Sequence, residues 1–220
     1  MSDNKDLARQ RVREIVEHTP PDRNLAVFFE AVYKTANGDA GGVPWADLQP
    51  HPLALDWLRQ HNIAGTGKSA LVVGCGLGDD AEELARRGFR VTAFDISPRA
   101  IAWGQERFPA SPVHYQVADL FATPAEWRQG FDFVLEIYTV QAIPIPLHAC
   151  AMASIASFVA PGGQLLVICR AREPHEDAGP IPWPLTRSEL TDFAQAGLRE
   201  VTLEDVGAGD GRHFRVVYER

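Results

Sequence analysis

The first quarter of the chain has apolar side chains at helical intervals. Residues 6–18 follow this spacing until Pro20 interrupts the pattern. A second helix is predicted over residues 22–36, with Asp22 as its N-cap. After an extended, proline-rich segment, the helical spacing returns over residues 53–61. The chain therefore begins with helices that precede any strand.

From residue 69 onward, short apolar runs alternate with helical patterns. Strands are predicted at residues 69–73, 90–95, 113–118, 131–137 and 163–170. Helices are predicted at residues 79–87, 98–107, 124–129, 146–159 and 187–196. Several of the strands are apolar throughout, which is typical of parallel strands covered on both faces. The last two apolar runs, LREVTLEDV and HFRVVYER, are joined by GAGDGR and predict an antiparallel hairpin.

This alternation predicts an α/β fold with a doubly wound, mostly parallel sheet of seven strands. The antiparallel hairpin closes the sheet at its C-terminal side. We predict an N-terminal helical extension over residues 1–42, which acts as a lid, and one α/β domain over residues 43–220.

Charge and cysteine content limit the partners. The 220 residues include 21 basic and 29 acidic side chains, a net charge of −8, and the basic ones form no cluster suited to nucleic acid or an anionic membrane. The three cysteines show no C-x-x-C spacing, so no metal site is indicated. Because the N-terminus is polar and no apolar run is long, we expect a cytoplasmic protein. We also expect a monomer or homodimer that acts on a small molecule.

The sequence ALVVGCGLGDDA, residues 70–81, places three glycines directly after the first predicted strand. Glycine turns of this kind let a ligand approach the backbone. The segment from Gly76 matches G-x-G-x-x-A, a weak signature of dinucleotide binding. However, Asp79 and Asp80 lie where a pyrophosphate would need positive potential. S-adenosylmethionine (SAM) has no phosphate and carries an ammonium and a sulfonium, so these aspartates favour SAM over a dinucleotide.

Five ordered segments resemble the motifs of class I SAM-dependent methyltransferases. They are VVGCGLGDDAEELARRG, VTAFDISPRAI, the pair Asp119-Leu120, FDFVLEIYTVQAI and APGGQLLVI. Three further segments, VPWADLQPHPLAL, AIPIPLHACA and GPIPWPLTRSEL, are most similar to the thiopurine and thiol/halide methyltransferases. The resemblance covers about residues 43–219 and implies the Rossmann-like methyltransferase fold, with SAM as cofactor and S-adenosylhomocysteine (SAH) as product.

The resemblance also implies which residues hold the cofactor. They are Trp45, Gly74, Cys75, Gly76, Gly78, Asp95, Ile96, Ser97, Asp119, Leu120 and Glu136. In this family Asp95 would bind the ribose hydroxyls and Asp119 the adenine amino group. Each aspartate has an alternative explanation as a helix or turn cap, and Trp45 has one as a core residue.

For the methyl acceptor, a thiol or related soft nucleophile is favoured, because a thiolate needs little help from a base. Tyr138, His148 and Trp183 are predicted to line the acceptor pocket. The alternative is O- or N-methylation of a small metabolite with His148 or Glu136 as base, which makes Glu136, Tyr138 and His148 the candidate catalytic residues. Two other classes stay open, an NAD-dependent oxidoreductase and a SAM-binding protein without activity.

Overall fold

A computed structural model describes residues 2–18 and 24–220. Its α-helices are α1 (Ser2–His18), α2 (Leu25–Ala36), α3 (Pro52–Gln60), α4 (Asp79–Arg86), α5 (Pro98–Arg107), α6 (His148–Phe158) and α7 (Asp192–Gln195). The predicted cap Asp22 and the helix breaker Pro20 lie outside the described residues. Helix α2 is capped by Asn24, whose Oδ1 accepts a hydrogen bond from the Val27 backbone at 3.1 Å.

Seven strands form one sheet in the order β3-β2-β1-β4-β5-β7-β6. They are β1 (Ser69–Val73), β2 (Arg90–Asp95), β3 (His114–Val117), β4 (Phe131–Ile137), β5 (Val159–Arg170), β6 (Arg199–Val206) and β7 (His213–Glu219). Strand β7 pairs antiparallel with both β5 and β6, and the other pairs are parallel. The predicted fold, a Rossmann-like methyltransferase sheet with an antiparallel C-terminal hairpin, is confirmed.

Alternate residues of the central strands pack into two cores, one on each face of the sheet. In β1, Leu71 and Val73 join the core that includes Ile155 of α6. Ala70 and Val72 point to the opposite core. All of these side chains are buried, which explains why the strand sequence shows no alternation between apolar and polar residues.

Three predicted elements differ from the structure. Residues 124–129 form only a 3-10 turn at Ala125–Trp127, held by the buried Trp127 ring. Strand β5 starts four residues earlier than predicted, at Val159, because Val159 pairs with Phe131 before the register shifts. The predicted helix 187–196 is a 3-10 turn followed by the single turn of α7.

The strand order reverses between β1 and β4. Strands β2 and β3 continue the sheet on the side of β1, and β5 continues it on the side of β4. In such sheets a crevice opens at the carboxyl ends of the two strands, where ligands bind. Helix α2 packs beside α5 near this crevice, through Glu30 and Arg99 at 2.6 Å. Among the described residues, no helix is both long and apolar enough to cross a bilayer.

Candidate cofactor and acceptor site

A cavity of about 1620 Å³ opens at the carboxyl ends of β1, β2 and β4. Side chains of α1 and α2 and the segment 44–51 also contribute to its wall. Single small-molecule pockets commonly measure about 300–1,000 Å³. The cavity therefore has room for a cofactor and an acceptor together.

Most of the site residues predicted from the sequence line the cavity. Its wall includes Trp45, Gly74, Cys75, Gly76, Asp95, Ile96, Asp119, Leu120, Tyr138 and Trp183. Gly78, Ser97, Glu136 and His148 do not line it. Each of these four has another role in the fold.

Two glycines of the turn serve different purposes. Gly76 has φ +52°, and a Cβ placed there would meet only the Tyr33 hydroxyl, at 3.4 Å. Its backbone is therefore open to a ligand. Gly78 caps α4 with φ +93°, and a Cβ there would come within 2.3 Å of the Tyr115 hydroxyl. Gly78 makes room for Tyr115 and does not line the cavity, so its contact with the cofactor stays a prediction.

The two aspartates after the turn are less exposed to a ligand than the sequence suggests. Both carboxylate oxygens of Asp79 accept hydrogen bonds from Arg107, at 2.7 and 2.8 Å. Asp80 accepts from the His51 backbone at 2.8 Å, and burial raises the pKa of its carboxyl to about 6. One of the two charges is thus neutralised by a guanidinium, so the charge argument for a cationic cofactor rests mainly on Asp80 and Asp95.

Asp95 lies at the end of β2 with its carboxylate in the cavity wall. One oxygen accepts from the Gly76 backbone at 3.0 Å and the other from the Ser97 backbone at 2.9 Å. Burial raises the pKa of Asp95 to about 6, and the nearby Glu30 adds to the shift. A carboxylate oxygen can accept more than one hydrogen bond. Asp95 is therefore held in place and still able to bind two hydroxyls.

Ser97 supports this arrangement from behind. Its hydroxyl caps α5 by accepting from the Ala100 backbone at 3.2 Å and donates to Glu30 at 2.7 Å. The side chain is fully buried outside the cavity. Ser97 thus joins the end of β2 to helix α2, and its cofactor contact stays a prediction.

The wall on the other side of Asp95 is apolar. Ile96 and the buried Leu120 lie there. Asp119 is exposed and accepts from the Phe121 backbone at 2.9 Å, as a turn cap does. Trp45 is 39% exposed and donates from Nε1 to the Tyr33 hydroxyl at 3.0 Å. These residues all contribute to the cavity wall.

Glu136 is completely buried beneath the end of β4. Its Oε1 accepts from the backbones of Thr139 at 2.7 Å and Val140 at 3.1 Å, so the carboxylate shapes the turn after the strand. Among the described residues, Oε2 has no hydrogen-bond partner. Burial raises the pKa of Glu136 to about 7. The side chain bonds the turn and does not line the cavity, so the contacts of Glu136 with cofactor and acceptor stay predictions.

His148 is also buried away from the cavity, at the start of α6. Its Nε2 donates to the Ile143 carbonyl at 2.8 Å, and Nδ1 lies 3.3 Å from Glu189. Burial alone would raise the pKa of Glu189, but bonds from His148 and Thr186 and the charge of Arg172 lower it to about 2. His148 thus joins two loops and does not line the cavity, so its catalytic or acceptor-binding role stays a prediction.

A group absent from the sequence analysis lies beside the end of β4. The hydroxyl of Tyr138 is 2.8 Å from Nε2 of His51 and 2.7 Å from Nε2 of His213. All three residues line the cavity. We call them the His–Tyr–His group. Tyr138 has φ +61°, a strained backbone conformation for a tyrosine.

The environment keeps the His–Tyr–His group uncharged at neutral pH. Burial, and then the neighbouring His213, lower the pKa of His51 to about 4. Burial also lowers the pKa of His213, and Arg170 adds to that effect. The pKa of Tyr138 is raised to about 12 by burial. Two neutral imidazoles therefore flank a neutral phenol.

No local pattern in the sequence marks this group. The two histidines are 87 and 75 residues from Tyr138 along the chain. His51 precedes α3 and His213 begins β7, and only the sheet order brings them together. A histidine in the proline-rich segment ahead of the fold was the one available signal.

Comparison with known families identifies the part of the chain that contains the glycine turn. A family model described as a methyltransferase domain matches residues 70–163. We call residues 70–163 the methyltransferase domain after this match. This confirms the predicted superfamily and its cofactor, SAM. Gly76, Asp95 and Tyr138 lie within the methyltransferase domain, whereas His51 and His213 lie outside the matched residues.

Curated relatives of the methyltransferase domain are named ubiquinone biosynthesis O-methyltransferase. The relative from Azotobacter vinelandii is 33% identical over 129 residues, covering 56% of this chain and 53% of its own length. The relative from Erwinia tasmaniensis is 32% identical over 157 residues, with coverages of 66% and 59%. The chain thus spans about half the length of the curated relatives it matches. These relatives are not thiopurine or thiol/halide methyltransferases, so they do not support the predicted subgroup.

Solved structures share the fold over most of the chain. One, from work on the conversion of a disulfide bond into a thioacetal group during echinomycin biosynthesis, has a TM-score of 0.72 at 21% identity and covers 90% of this chain and 93% of its own. The [4+2]-cyclase SpnF has a TM-score of 0.70 at 17% identity, with coverages of 90% and 95%. At these identities the similarity shows the fold alone. The shared fold includes the N-terminal helices and the hairpin, which lie outside the methyltransferase domain.

Proposed function

We propose that the protein transfers a methyl group from SAM to a hydroxyl oxygen of a small, largely apolar molecule. The observation that carries this proposal is the His–Tyr–His group in the cavity wall, next to the end of β4. A hydroxyl acceptor commonly needs a base to remove its proton. A thiol with a depressed pKa does not need a base, so the His–Tyr–His group would contribute little to the methylation of a thiol.

The curated relatives support the same choice. Their name assigns them O-methylation in ubiquinone biosynthesis. The thiol acceptor favoured by the sequence analysis gives way to its O-methylation alternative, but with a different base. His148 and Glu136 are buried outside the cavity, whereas His51 and Tyr138 line it.

The acceptor end of the cavity is apolar. Ile143, Pro144, Ile145, Ile181 and Trp183 contribute to its wall. Such a surface binds a carbon skeleton by the hydrophobic effect and leaves orientation to a few polar groups. An aromatic alcohol fits this combination of apolar wall and proton acceptor.

The cofactor would occupy the other end. In our proposal Asp95 accepts the two ribose hydroxyls, Ile96 and Leu120 enclose the adenine, and Gly76 offers its open backbone to the methionyl group. Trp45 would cover this end from the N-terminal side. The fit rests on the cradle at Gly76, where a Cβ would have no close neighbour, and on the fixed carboxylate of Asp95.

A matched set of acceptors tests the proposal. SAH release is measured with a phenol, a thiophenol and an aniline that share one carbon skeleton, at a single pH. O-methylation predicts turnover of the phenol at least tenfold above that of the aniline and the thiophenol. Preference for the thiophenol would restore the thiol assignment, and turnover of the aniline alone would indicate N-methylation.

A further inference from the structure

The hydrogen positions in the His–Tyr–His group follow from the atoms that surround it. Nδ1 of His213 lies 2.7 Å from the Gly211 carbonyl, which can only accept. Nδ1 therefore carries the hydrogen, and Nε2 of the neutral ring has a free electron pair. The Tyr138 hydroxyl, 2.7 Å away, donates to that Nε2.

The tautomer of His51 then follows as well. Tyr138 has one hydroxyl hydrogen, which is engaged with His213, so its oxygen accepts from Nε2 of His51 at 2.8 Å. The hydrogen of His51 thus lies on Nε2, and Nδ1 has an electron pair. Among the described residues, Nδ1 has no hydrogen-bond partner although it is buried. An unpaired basic nitrogen inside a protein is costly unless a ligand satisfies it.

We propose that Nδ1 of His51 takes the proton of the acceptor hydroxyl and that Tyr138 and His213 pass the positive charge on towards water. This inference rests on the proposed O-methylation. It makes His51 the catalytic base and gives Tyr138 and His213 the roles of positioning the base and carrying its proton.

The proton and electron balance closes along this chain. The acceptor O–H gives its proton to Nδ1 of His51, and the hydrogen on Nε2 moves to the Tyr138 oxygen. The original hydroxyl hydrogen of Tyr138 moves to Nε2 of His213, which becomes an imidazolium. When bound, SAM supplies the electrophilic methyl group and its sulfur keeps the electron pair of the broken C–S bond. One positive charge is present before and after the reaction.

The surroundings explain the direction of transfer. Burial and the neighbouring His213 oppose a charge on His51, and Asp47 favours it only in part. The Asp80 carboxylate accepts from the His51 backbone rather than from the ring. At His213 the Gly211 carbonyl favours the imidazolium and Arg170 opposes it. Since His213 is only half-buried, its extra proton can leave to water.

The tautomers can be observed without any reaction. Nitrogen-15 NMR of the histidines in the free protein should show His51 protonated at Nε2 only and His213 at Nδ1 only. In Tyr138→Phe, His51 should lose its single tautomer while His213 keeps its own through Gly211. If His51 is protonated at Nδ1 in the wild-type protein, the proposal is overturned.

Two acceptors test the relay itself. One is a phenol with a pKa near 10, as for tyrosine, and the other is a nitrophenol already ionised at the assay pH. Tyr138→Phe and His213→Gln should lower kcat about 100-fold with the first, the size expected for general-base catalysis. With the nitrophenol both should stay within about threefold of wild type. His114→Gln, an exposed histidine on β3 far from the cavity, is the matched control.

The outcomes separate two failures. Equal losses with both phenols, or no loss with either, overturn the relay, because the group would then only shape the pocket or do nothing. If the wild-type protein methylates neither phenol while SAM still binds, the proposed function itself fails.

Discussion

Asp95 joins the glycine turn to helix α5 by accepting one backbone hydrogen bond on each carboxylate oxygen. If it also accepts the ribose hydroxyls, Asp95→Ala removes charge-assisted bonds that contribute about 1.5–3 kcal/mol each. We expect SAM affinity to fall at least tenfold, measured by calorimetry. Asp132→Ala, which removes an exposed carboxylate at the start of β4, should leave the affinity unchanged. Equal affinity in both variants would show that Asp95 is only a structural cap.

Glu136 makes stability depend on pH in a predictable direction. Because burial raises its pKa from 4.5 to about 7 in the fold, the folded protein holds more protons than the unfolded chain between these values. Stability from this group is therefore present at low pH and is lost as pH rises through 7.

Glu136→Gln keeps an oxygen for the Thr139 and Val140 backbones and removes the titration. Relative to wild type, the variant should gain on the order of 1–3 kcal/mol in unfolding free energy between pH 4.5 and pH 8. Urea unfolding at the two pH values measures this gain. A difference between variant and wild type that does not change with pH would mean that Glu136 is not the titrating group.

At the scale of elements, Glu30 binds helix α2 to the loop and helix that follow β2. Glu30 accepts from the Ser97 hydroxyl at 2.7 Å and from the Arg99 backbone at 3.2 Å. Glu30→Ala should loosen this contact and weaken SAM binding several-fold, although Glu30 does not line the cavity. Glu106→Ala, on the exposed face of α5, is the control for calorimetry. If both variants bind SAM like wild type, α2 is not coupled to the site.

Elements with a strong local pattern could be predicted from the sequence almost to the residue. The bounds of β1, β2 and β4 match the predicted ones because these strands are buried on both faces and end at polar or glycine residues. The turn at Ala125–Trp127 could not be predicted as such, because its helical pattern comes from packing of one tryptophan rather than from a helix face.

The same contrast holds for the site. The residues at the cofactor end lie in contiguous motifs around Gly76 and Asp95, so they could be predicted from the sequence. The acceptor end depends on residues from three distant parts of the chain. Sequence reasoning predicted Tyr138 and Trp183, which line the cavity, together with His148 and Glu136, which do not. Both are buried polar residues that stabilise loops, and composition alone does not distinguish such residues from catalytic ones.

For the whole molecule, ligand binding should be visible as stabilisation. A ligand that binds only the folded protein raises its melting temperature by mass action. SAM and SAH should do so at concentrations well above their dissociation constants, while NAD and NADP should not. Thermal unfolding with each ligand at equal concentration decides this. Equal stabilisation by NAD would contradict the SAM assignment, and stabilisation by SAM without turnover of any acceptor would leave a binding protein without activity.

The sheet order also constrains the sequence of events in folding. Strand β7 lies between β5 and β6, although β6 precedes it in the chain. During synthesis β6 has no partner until β7 forms the hairpin with it, and the pairing of β7 with β5 joins residues distant in the chain, which makes it a late and non-local step. Because β7 also carries His213, the protein acquires its third His–Tyr–His member only in that step. A chain that folds the cofactor end first would bind SAM before its His–Tyr–His group is complete.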